Sequence, residues 1–256
     1  MRLPVSVRGK LLRQRLLAAL KIGGNVPVFL RETAEGPVVE ASGRRIHVPS
    51  PLRWKLYRRG WEARLERLAR EYGVGRHVTL GAGDVVVDVG ANVGEFAHVA
   101  AQRGARVYCI EPDPAAFACL IRNIAGLGGA SAHDALIWKE DGEIDFALAP
   151  DRADSSVFAR GAKTIRRRAV RLETFAREVG IARIDLLKCD AEGAEPEVLQ
   201  GLGALFAETR AVALDTGPER EGARTDKSCA AILAREGFRV IEEAVGTRLM
   251  TYGLKP

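Results

Sequence analysis

The stretch at residues 84–123 constrains the fold more than any other part of the chain. An apolar run, VVVDV, ends at the glycine-spaced turn GANVG, and a helical pattern then continues to Arg103 and is closed by Gly104. A second apolar run at residues 107–110 ends at Glu111. Such a succession of strand, tight loop, helix and parallel strand is typical of one half of a nucleotide-binding α/β sheet.

The loop after the first strand has the features of a ligand-binding turn. Gly90 and Gly94 let the backbone bend sharply and approach a ligand without a Cβ atom in the way. A helix that begins near Gly94 offers unpaired N–H groups and the positive end of its dipole, which suit a carboxylate. Glu111 follows Asp88 by 23 residues, close to the spacing of about 20 residues at which a carboxylate meets a ribose diol.

A ribose, an adenine and an amino-acid carboxylate together describe S-adenosylmethionine. A dinucleotide would require G-x-G-x-x-G, whereas Asn92 replaces the middle glycine and the acidic Glu95 stands where a diphosphate would lie. We therefore expect S-adenosylmethionine rather than NAD; an α/β core without a ligand is the remaining interpretation. The expected cofactor-binding residues are Asp88, Gly90, Asn92, Gly94, Glu111, Pro112, Asp134 and Ala135.

A rarer motif follows at residues 184–195, IDLLKCDAEGAE, with VLQG at residues 198–201. Together with DVGANVGEF and IEPDP, it resembles the FkbM-type methyltransferases, and the likeness runs from about Trp61 to the C-terminus. The resemblance implies a class I, Rossmann-like α/β fold with a seven-stranded, mostly parallel sheet whose last strand is antiparallel. It also implies an S-adenosylmethionine-dependent O-methyltransferase acting on a hydroxyl of a sugar, glycolipid or polyketide-like metabolite. Where the family often has a glutamate after the fifth strand, this chain has Asp215.

Candidate catalytic residues stand at the expected ends of the parallel strands, where ligands bind in such sheets. Methyl transfer to an alcohol is an in-line displacement that a general base assists. We rank Asp190 first as the base, Glu192 second and His133 third. Glu192 also fits a helix-capping role, and His133 also fits a structural role at the end of a strand.

Two further groups are candidates for contact with the acceptor. In a strand over residues 163–171, Arg166 and Arg168 share one face, and paired guanidinium groups suit a carboxylate or phosphate on the acceptor. Replacing Arg168 is therefore expected to raise the acceptor KM. Asp215 is the third substrate candidate.

A magnesium-dependent mechanism is a less favoured alternative, so no metal-binding residue is assigned. Asp190 and Asp215 at adjacent strand tips, with Thr216 beside them, have the oxygen ligands that Mg²⁺ and a vicinal diol would need.

The positive charge of the chain is concentrated in its first 75 residues. Residues 1–75 contain 16 Lys/Arg and 6 Asp/Glu, a balance of +10, so residues 76–256 carry −4 of the net +6. We predict a basic N-terminal segment over 1–75, acting as a cap or oligomerisation arm, and a methyltransferase domain over 76–256. The segment should contain an amphipathic helix at residues 7–22, and its basic character suits a membrane surface or a homodimer contact.

Other patterns predict a helix over residues 52–72, a hairpin over 138–148, and two antiparallel strands at the C-terminal edge of the sheet. Nucleic-acid methylation is a weaker alternative, because the chain lacks the N/D-P-P-Y/F box of amino-group methylases. The sequence has no apolar run of 18 residues, no signal-peptide pattern and four scattered cysteines. These features predict a cytoplasmic protein with reduced thiols.

Overall fold

The structure is a computed structural model that describes residues 5–148, 156–158 and 163–255. Its α-helices are α1 (Val5–Ala19), α2 (Trp61–Glu71), α3 (Glu95–Ala101), α4 (Pro114–Ile124), α5 (Leu172–Val179), α6 (Glu195–Gln200) and α7 (Asp226–Arg235). Its strands are β1 (Val28–Thr33), β2 (Gly36–Ala41), β3 (Arg44–His47), β4 (Val85–Val89), β5 (Arg106–Ile110), β6 (Ala130–His133), β7 (Leu136–Ile137), β8 (Gly142–Leu148), β9 (Lys163–Val170), β10 (Leu186–Cys189), β11 (Ala211–Asp215), β12 (Arg239–Val245) and β13 (Arg248–Leu254). None of the helices within the described ranges is both long and apolar enough to cross a lipid bilayer.

A seven-stranded sheet with the order β12-β13-β11-β10-β4-β5-β6 forms the centre of the fold. The five strands from β11 to β6 are parallel, whereas β13 is antiparallel to both β11 and β12. The predicted class I architecture, with an antiparallel last strand and a strand pair at the sheet edge, is confirmed. Parallel neighbours bring the ends of β4, β5 and β10 to one rim of the sheet.

Strand β4 is buried on both faces, which explains its unbroken apolar sequence. Val86 belongs to the hydrophobic cluster on one side of the sheet, and Val85, Val87 and Val89 belong to the cluster on the other. Burying a valine side chain contributes about 1.5–3 kcal/mol. The strand therefore anchors the loop that follows it from both sides.

The N-terminal segment packs on one face of this sheet. The antiparallel strands β1, β2 and β3 form a small separate sheet. The prediction of one helix over residues 52–72 is wrong, because a 3₁₀ helix at Pro51–Tyr57 is separated from α2 by Gly60. Gly60 has a φ of 97°, which a helix interior does not allow. The break turns the two helical pieces so that both face the carboxyl ends of the parallel strands.

The predicted hairpin over residues 138–148 is also wrong. Strand β8 pairs with β9, which in turn pairs in parallel with the two-residue strand β7. The Asp141 carboxylate accepts hydrogen bonds from the Arg171 amide at 2.7 Å and the Thr174 hydroxyl at 2.9 Å. The turn that the sequence suggested is thus tied to the end of β9 instead of closing a hairpin.

Candidate active site

A cavity of about 420 Å³ opens at the carboxyl ends of β4, β5 and β10. This volume lies in the range of small-molecule sites, roughly 300–1,000 Å³. The strand ends and loops of the central sheet form one wall. The other wall comes from the N-terminal segment, through residues of the 3₁₀ helix and α2 that include Arg53, Lys55, Arg64 and Tyr72.

The loop at residues 90–94 leaves no room for side chains at its two glycines. Gly90 has a φ of 71°, and a Cβ atom there would lie 1.9 Å from the backbone oxygen of Asp190. Gly94 has a φ of 86°, and its Cβ would lie 2.7 Å from Leu120 of α4. Asn92, also at positive φ, lines the cavity, and its Oδ1 is buried with no hydrogen-bond partner in the described part of the chain. The loop is therefore shaped by close packing beneath it and presents an unsatisfied acceptor.

Glu111 at the end of β5 lines the cavity beside this loop. Its Oε2 accepts a hydrogen bond from the Asn92 amide and its Oε1 one from the Asp113 amide, each at 2.8 Å. Burial raises the pKa of Glu111 to about 7, although the hydrogen bonds from the two backbone amides favour the charged form. The carboxylate is thus fixed in direction and keeps lone pairs for further donors.

Asp88 does not line the cavity, so the structure does not support a direct contact with a ligand. Its Oδ1 forms a buried ion pair with the Lys188 ammonium at 2.8 Å. Lys188 also donates to the backbone oxygens of Gly90 at 2.8 Å and Val89 at 3.3 Å. Asp88 and Lys188 therefore support the glycine loop from below.

Of the other expected cofactor residues, Pro112 and Ala135 line the cavity. Asp134 does not, and instead pairs with Arg167 at the surface. Asp113, which sequence reasoning missed, lines the cavity and caps α4 by accepting from the Ala115 amide at 2.7 Å. The segment after β5 thus contributes more to the cavity than the end of β6.

His133, the third candidate base, does not line the cavity. Its ring stacks on Tyr108 with centroids 5.8 Å apart and meets Phe175 edge-on at 5.1 Å. Its Nε2 lies 2.9 Å from the Ser131 hydroxyl, and burial lowers its pKa. These contacts favour the structural role for His133 that was the alternative to catalysis.

Asp190 lines the cavity. One of its carboxylate oxygens is hydrogen-bonded, and the other has no hydrogen-bond partner in the described part of the chain. Oδ2 accepts a hydrogen bond from the Tyr72 hydroxyl at 2.7 Å and one from Arg248 at 2.8 Å. Oδ1 is buried, and no described residue hydrogen-bonds to it. Burial opposes ionisation, but the charges of Arg248 and Lys188 outweigh it and hold the pKa of Asp190 below its usual value. Asp190 is accordingly ionised at neutral pH.

Behind Asp190 lies a cluster of carboxylates around one arginine. Arg248 approaches Asp215 Oδ2 at 2.5 Å as well as Asp190. One oxygen from each of Asp190, Asp215 and Glu219 lies within 4.8 Å of the others. Burial and the charge of Asp190 raise the pKa of Asp215 to about 6, and burial with both aspartates raises that of Glu219 to about 9. At neutral pH Glu219 therefore keeps its proton, and Arg248 partly neutralises the charge of the two aspartates.

The structure does not support the expected positions of Asp215 at the acceptor and of Thr216 beside the carboxylates. Asp215 does not line the cavity, because it is buried behind Arg248. Thr216 does not face the cluster either, since its hydroxyl donates to the Leu249 backbone oxygen at 3.1 Å and contacts Thr251 at 2.9 Å. A direct contact of Asp215 with an acceptor is therefore not supported.

The segment after β10 has two glutamates with different positions. Glu192, at a φ of 51°, lines the cavity, and its backbone oxygen accepts from the Ser156 hydroxyl at 2.9 Å. Glu195 is fully buried and accepts from the amides of Ala191 at 3.0 Å and Gly193 at 3.1 Å. Glu195, rather than Glu192, therefore organises this loop at the start of α6.

Arg166 and Arg168 were expected to bind the acceptor, but neither of them lines the cavity. They share a face of β9 as predicted, but Arg166 pairs with Glu143 and Asp145, and Arg168 pairs with Glu178. Their side chains are 58% and 70% exposed. The basic residues that do line the cavity are Arg53, Lys55, Arg64 and Arg67 of the N-terminal segment, together with Lys188 and Arg248.

An ion pair joins the N-terminal segment to the glycine loop. Arg64 of α2 donates to both carboxylate oxygens of Glu95, at 2.8 Å each, and both side chains are buried. Burial opposes ionisation of Glu95, but Arg64 outweighs it and lowers the pKa to about 2. Glu95 thus serves as the attachment point for α2 at the first turn of α3.

Several residues of the site escaped prediction because their partners are distant in sequence. Tyr72 and Arg248 reach Asp190 across 118 and 58 residues. Lys188 stands inside the LLKCD motif. Its apolar neighbours were a signal that this lysine is buried and therefore requires a charged partner. No comparable local pattern surrounds Tyr72 or Arg248.

Comparison with known proteins identifies a family. Residues 88–240, 153 of the 256 residues, match the methyltransferase FkbM domain. Methyltransferase 1 of Beauveria bassiana is 29% identical over 143 residues, covering 46% of this chain and 57% of that protein. The 2-O-methyltransferase NoeI of Sinorhizobium fredii is 27% identical over 146 residues, covering 49% of this chain and 60% of NoeI. The chain thus spans about three fifths of the length of these two curated relatives.

Solved structures agree on the fold. Fibrillarin of Aeropyrum pernix, crystallised with natively bound S-adenosyl-L-methionine, superposes with a TM-score of 0.50 at 14% identity, covering 89% of this chain and 94% of fibrillarin. At this identity the likeness concerns the fold alone. The matched domain, which spans more than half of the chain, shows that the chain belongs to the FkbM family of methyltransferases.

Proposed function

We propose that the protein is an S-adenosylmethionine-dependent O-methyltransferase whose acceptor is a hydroxyl of a sugar, glycolipid or polyketide-like metabolite. The observation that carries the proposal is that one cavity is lined both by the glycine loop with Glu111 and by Asp190 with Arg248. Membership of the FkbM family supports methyl transfer. The name of the relative NoeI, a 2-O-methyltransferase, supports oxygen as the methylated atom.

The residues of the glycine loop and of β5 fit the cofactor. Glu111 has lone pairs free for the two hydroxyls of a ribose, and Asn92 offers a buried oxygen without a partner among the described residues. The absence of a side chain at Gly90 lets a ligand approach the backbone. When bound, the cofactor supplies a methyl group activated by a sulfonium.

Asp190 is proposed as the residue that holds and deprotonates the acceptor hydroxyl. The bound cofactor would supply the methyl group to the acceptor oxygen, and Asp190 Oδ1 would accept the hydroxyl proton that the acceptor loses. Tyr72 and Arg248 fix the direction of Oδ1 by hydrogen bonds to Oδ2. Because its pKa is low, Asp190 acts mainly by orienting the hydroxyl and accepts the proton late in the transfer.

Labelled-methyl transfer to a panel of sugar, glycolipid and polyketide acceptors tests the proposal. We expect Asp190→Asn to lower kcat by about 10²–10⁴-fold, the usual contribution of a positioned base, with little change in cofactor affinity. Asp145→Asn is a matched control, because Asp145 is an exposed carboxylate on β8 outside the cavity. Wild-type kcat in the Asp190→Asn variant would contradict this role.

A magnesium-dependent O-methyltransferase is the second candidate. It is favoured by the three carboxylates of Asp190, Asp215 and Glu219, whose oxygens lie within 4.8 Å of one another. The presence of Arg248 among these oxygens disfavours it, since a guanidinium already compensates their charge. Loss of activity on chelation, restored by Mg²⁺, would support this candidate; full activity after exhaustive chelation would remove it.

We also propose a cytoplasmic location and a small-molecule acceptor rather than nucleic acid. The four cysteines are free and buried, which suits a reducing compartment. Steep salt dependence of RNA binding would instead favour a nucleic-acid substrate.

A further inference from the structure

The inner face of helix α1 is fastened to the rest of the protein. Val7 and Leu11 are buried in the main hydrophobic cluster. Between them and Ala18, the Gln14 amide donates to the backbone oxygens of Arg58 at 2.9 Å and Val26 at 3.2 Å. The helix is therefore held in a fixed orientation, with a defined outer face.

The outer face of α1 carries a second apolar stripe. Leu12, Leu16 and Leu20 are 69%, 59% and 60% exposed and lie one helical turn apart. Ile22 and Phe29, 49% and 42% exposed, follow this stripe in the chain, and the Phe29 ring lies under the Arg15 guanidinium of α1. Five of the seven exposed large hydrophobic residues in the described part of the chain thus fall within residues 12–29. A concentration of this kind marks an interaction surface rather than scattered exposure.

Basic residues border this stripe on both sides. At 100° per residue, Arg8 and Arg15 project on one side of the leucines, and Lys10 and Arg13 project on the other. None of these side chains forms an ion pair with any residue that the structure describes. Residues 5–31 contain no Asp or Glu. On α1 the surface is therefore apolar at its centre and cationic at its edges, whereas on the β1 side Glu40 lies opposite Phe29 and pairs with Arg31.

We propose that this surface, formed by Leu12, Leu16, Leu20, Ile22 and Phe29 with the flanking basic residues, binds the face of an anionic lipid bilayer. The leucines enter the boundary between headgroups and acyl chains, and the arginines and lysines contact anionic headgroups. The Arg15 guanidinium lies 4.4 Å from the centroid of the Phe29 ring, so Arg15 connects the basic border of the surface with one of its apolar side chains. The helix lies on the membrane and does not cross it.

The positive charge around the leucine stripe favours a lipid surface, rather than a second copy of the chain, as its binding partner. Two copies that met along the leucine stripe would bring their rows of arginine and lysine together, without an acidic residue in this segment to offset them. Like charges in contact oppose association. An anionic bilayer compensates the same charges and accepts the apolar stripe.

Sedimentation with vesicles tests the proposal without cofactor or acceptor, so its outcome is independent of catalysis. The full chain should bind vesicles of phosphatidylcholine mixed equally with phosphatidylglycerol, and should bind pure phosphatidylcholine weakly. Binding should weaken in about 1 M salt, where the Debye length is roughly 3 Å. A double variant, Leu12→Ser with Leu16→Ser, should bind at least about tenfold more weakly, because burial of apolar area drives insertion.

Ile121→Ser provides the matched control, because Ile121 is 49% exposed on α4, outside this surface. Circular dichroism checks that both variants remain folded. Equal vesicle binding by the double variant and the wild type would overturn the proposal, as would a wild type that ignores anionic vesicles. Light scattering that shows a dimer dissociated by the leucine changes would also overturn it, in favour of a second copy.

Discussion

Gly90 has a backbone conformation and surroundings that exclude a side chain. A Cβ atom at this position would lie 1.9 Å from the backbone oxygen of Asp190. We expect Gly90→Ala to destabilise the protein by about 1–3 kcal/mol, typical of a strained residue, and to abolish cofactor binding as the loop shifts. Unfolding and calorimetric titration measure the two effects. Gly81→Ala is the control, because a Cβ there meets nothing within 4 Å.

Glu111 should make cofactor affinity depend on pH. Its pKa in the free protein is raised to about 7 by burial. Ribose hydroxyls donate to the charged form, so below that value binding must first remove a proton. The Kd for S-adenosylmethionine should therefore rise about tenfold for each unit that the pH falls below 7, and level off above it. A Glu111→Gln variant should bind weakly, and its affinity should not vary with pH across this range.

Lys55 is the best placed residue to bind a negatively charged acceptor. Its exposed side chain lines the cavity, whereas Arg168 lies outside it and pairs with Glu178. We expect Lys55→Ala to raise the KM of an anionic acceptor about threefold to tenfold, or roughly 0.6–1.4 kcal/mol. Arg168→Ala should leave that KM unchanged, and the reverse ranking would restore β9 as the acceptor surface. Steady-state kinetics with both variants decide between them.

The site residues that the sequence did indicate all belong to local motifs. Gly90 and Glu111 could be recognised because glycine spacing and strand ends are visible within a short window. Asp190 could be recognised because it stands at the end of an apolar run that predicts a strand. Tyr72 and Arg248 could not be recognised, because only the tertiary fold brings them to Asp190.

At the scale of elements, α2 and α3 are joined by the buried pair Arg64–Glu95. Removing one partner leaves the other charge buried, so Arg64→Leu should destabilise the protein by about 3–5 kcal/mol. Arg70→Leu, an exposed position on the same helix, should change stability little. Adding Glu95→Leu to Arg64→Leu should recover most of the loss. Urea unfolding of the set gives the coupling energy, and a negligible coupling would show that the pair does not hold the elements together.

Elements whose partners are adjacent in sequence were predictable, and those with remote partners were not. Strands β12 and β13 pair directly with each other, and the αβ alternation from β4 to β6 is continuous. The prediction of a hairpin over residues 138–148 was wrong because the strand in this segment pairs with β9, which lies further along the chain. The prediction of one continuous helix over residues 52–72 was wrong because a single glycine, Gly60, changes the direction of the chain.

At the scale of the whole molecule, the basic N-terminal segment forms part of the cavity wall. One hydrophobic cluster contains Leu11, Trp61 and Tyr72 together with Val86 and Tyr252. The charge imbalance of residues 1–75 predicted a cap or oligomerisation arm, because composition reports charge and not packing. In the structure this segment has two surfaces: an inner one that lines the cavity and an outer one that carries the exposed leucines.

Calorimetric titration of the wild-type chain with S-adenosylmethionine and with NAD tests the central claim most directly. We expect saturable binding of one S-adenosylmethionine per chain and no binding of NAD, since the loop lacks the glycine pattern that a pyrophosphate needs. A folded protein that gives no heat with S-adenosylmethionine, or that binds NAD equally well, would contradict the account.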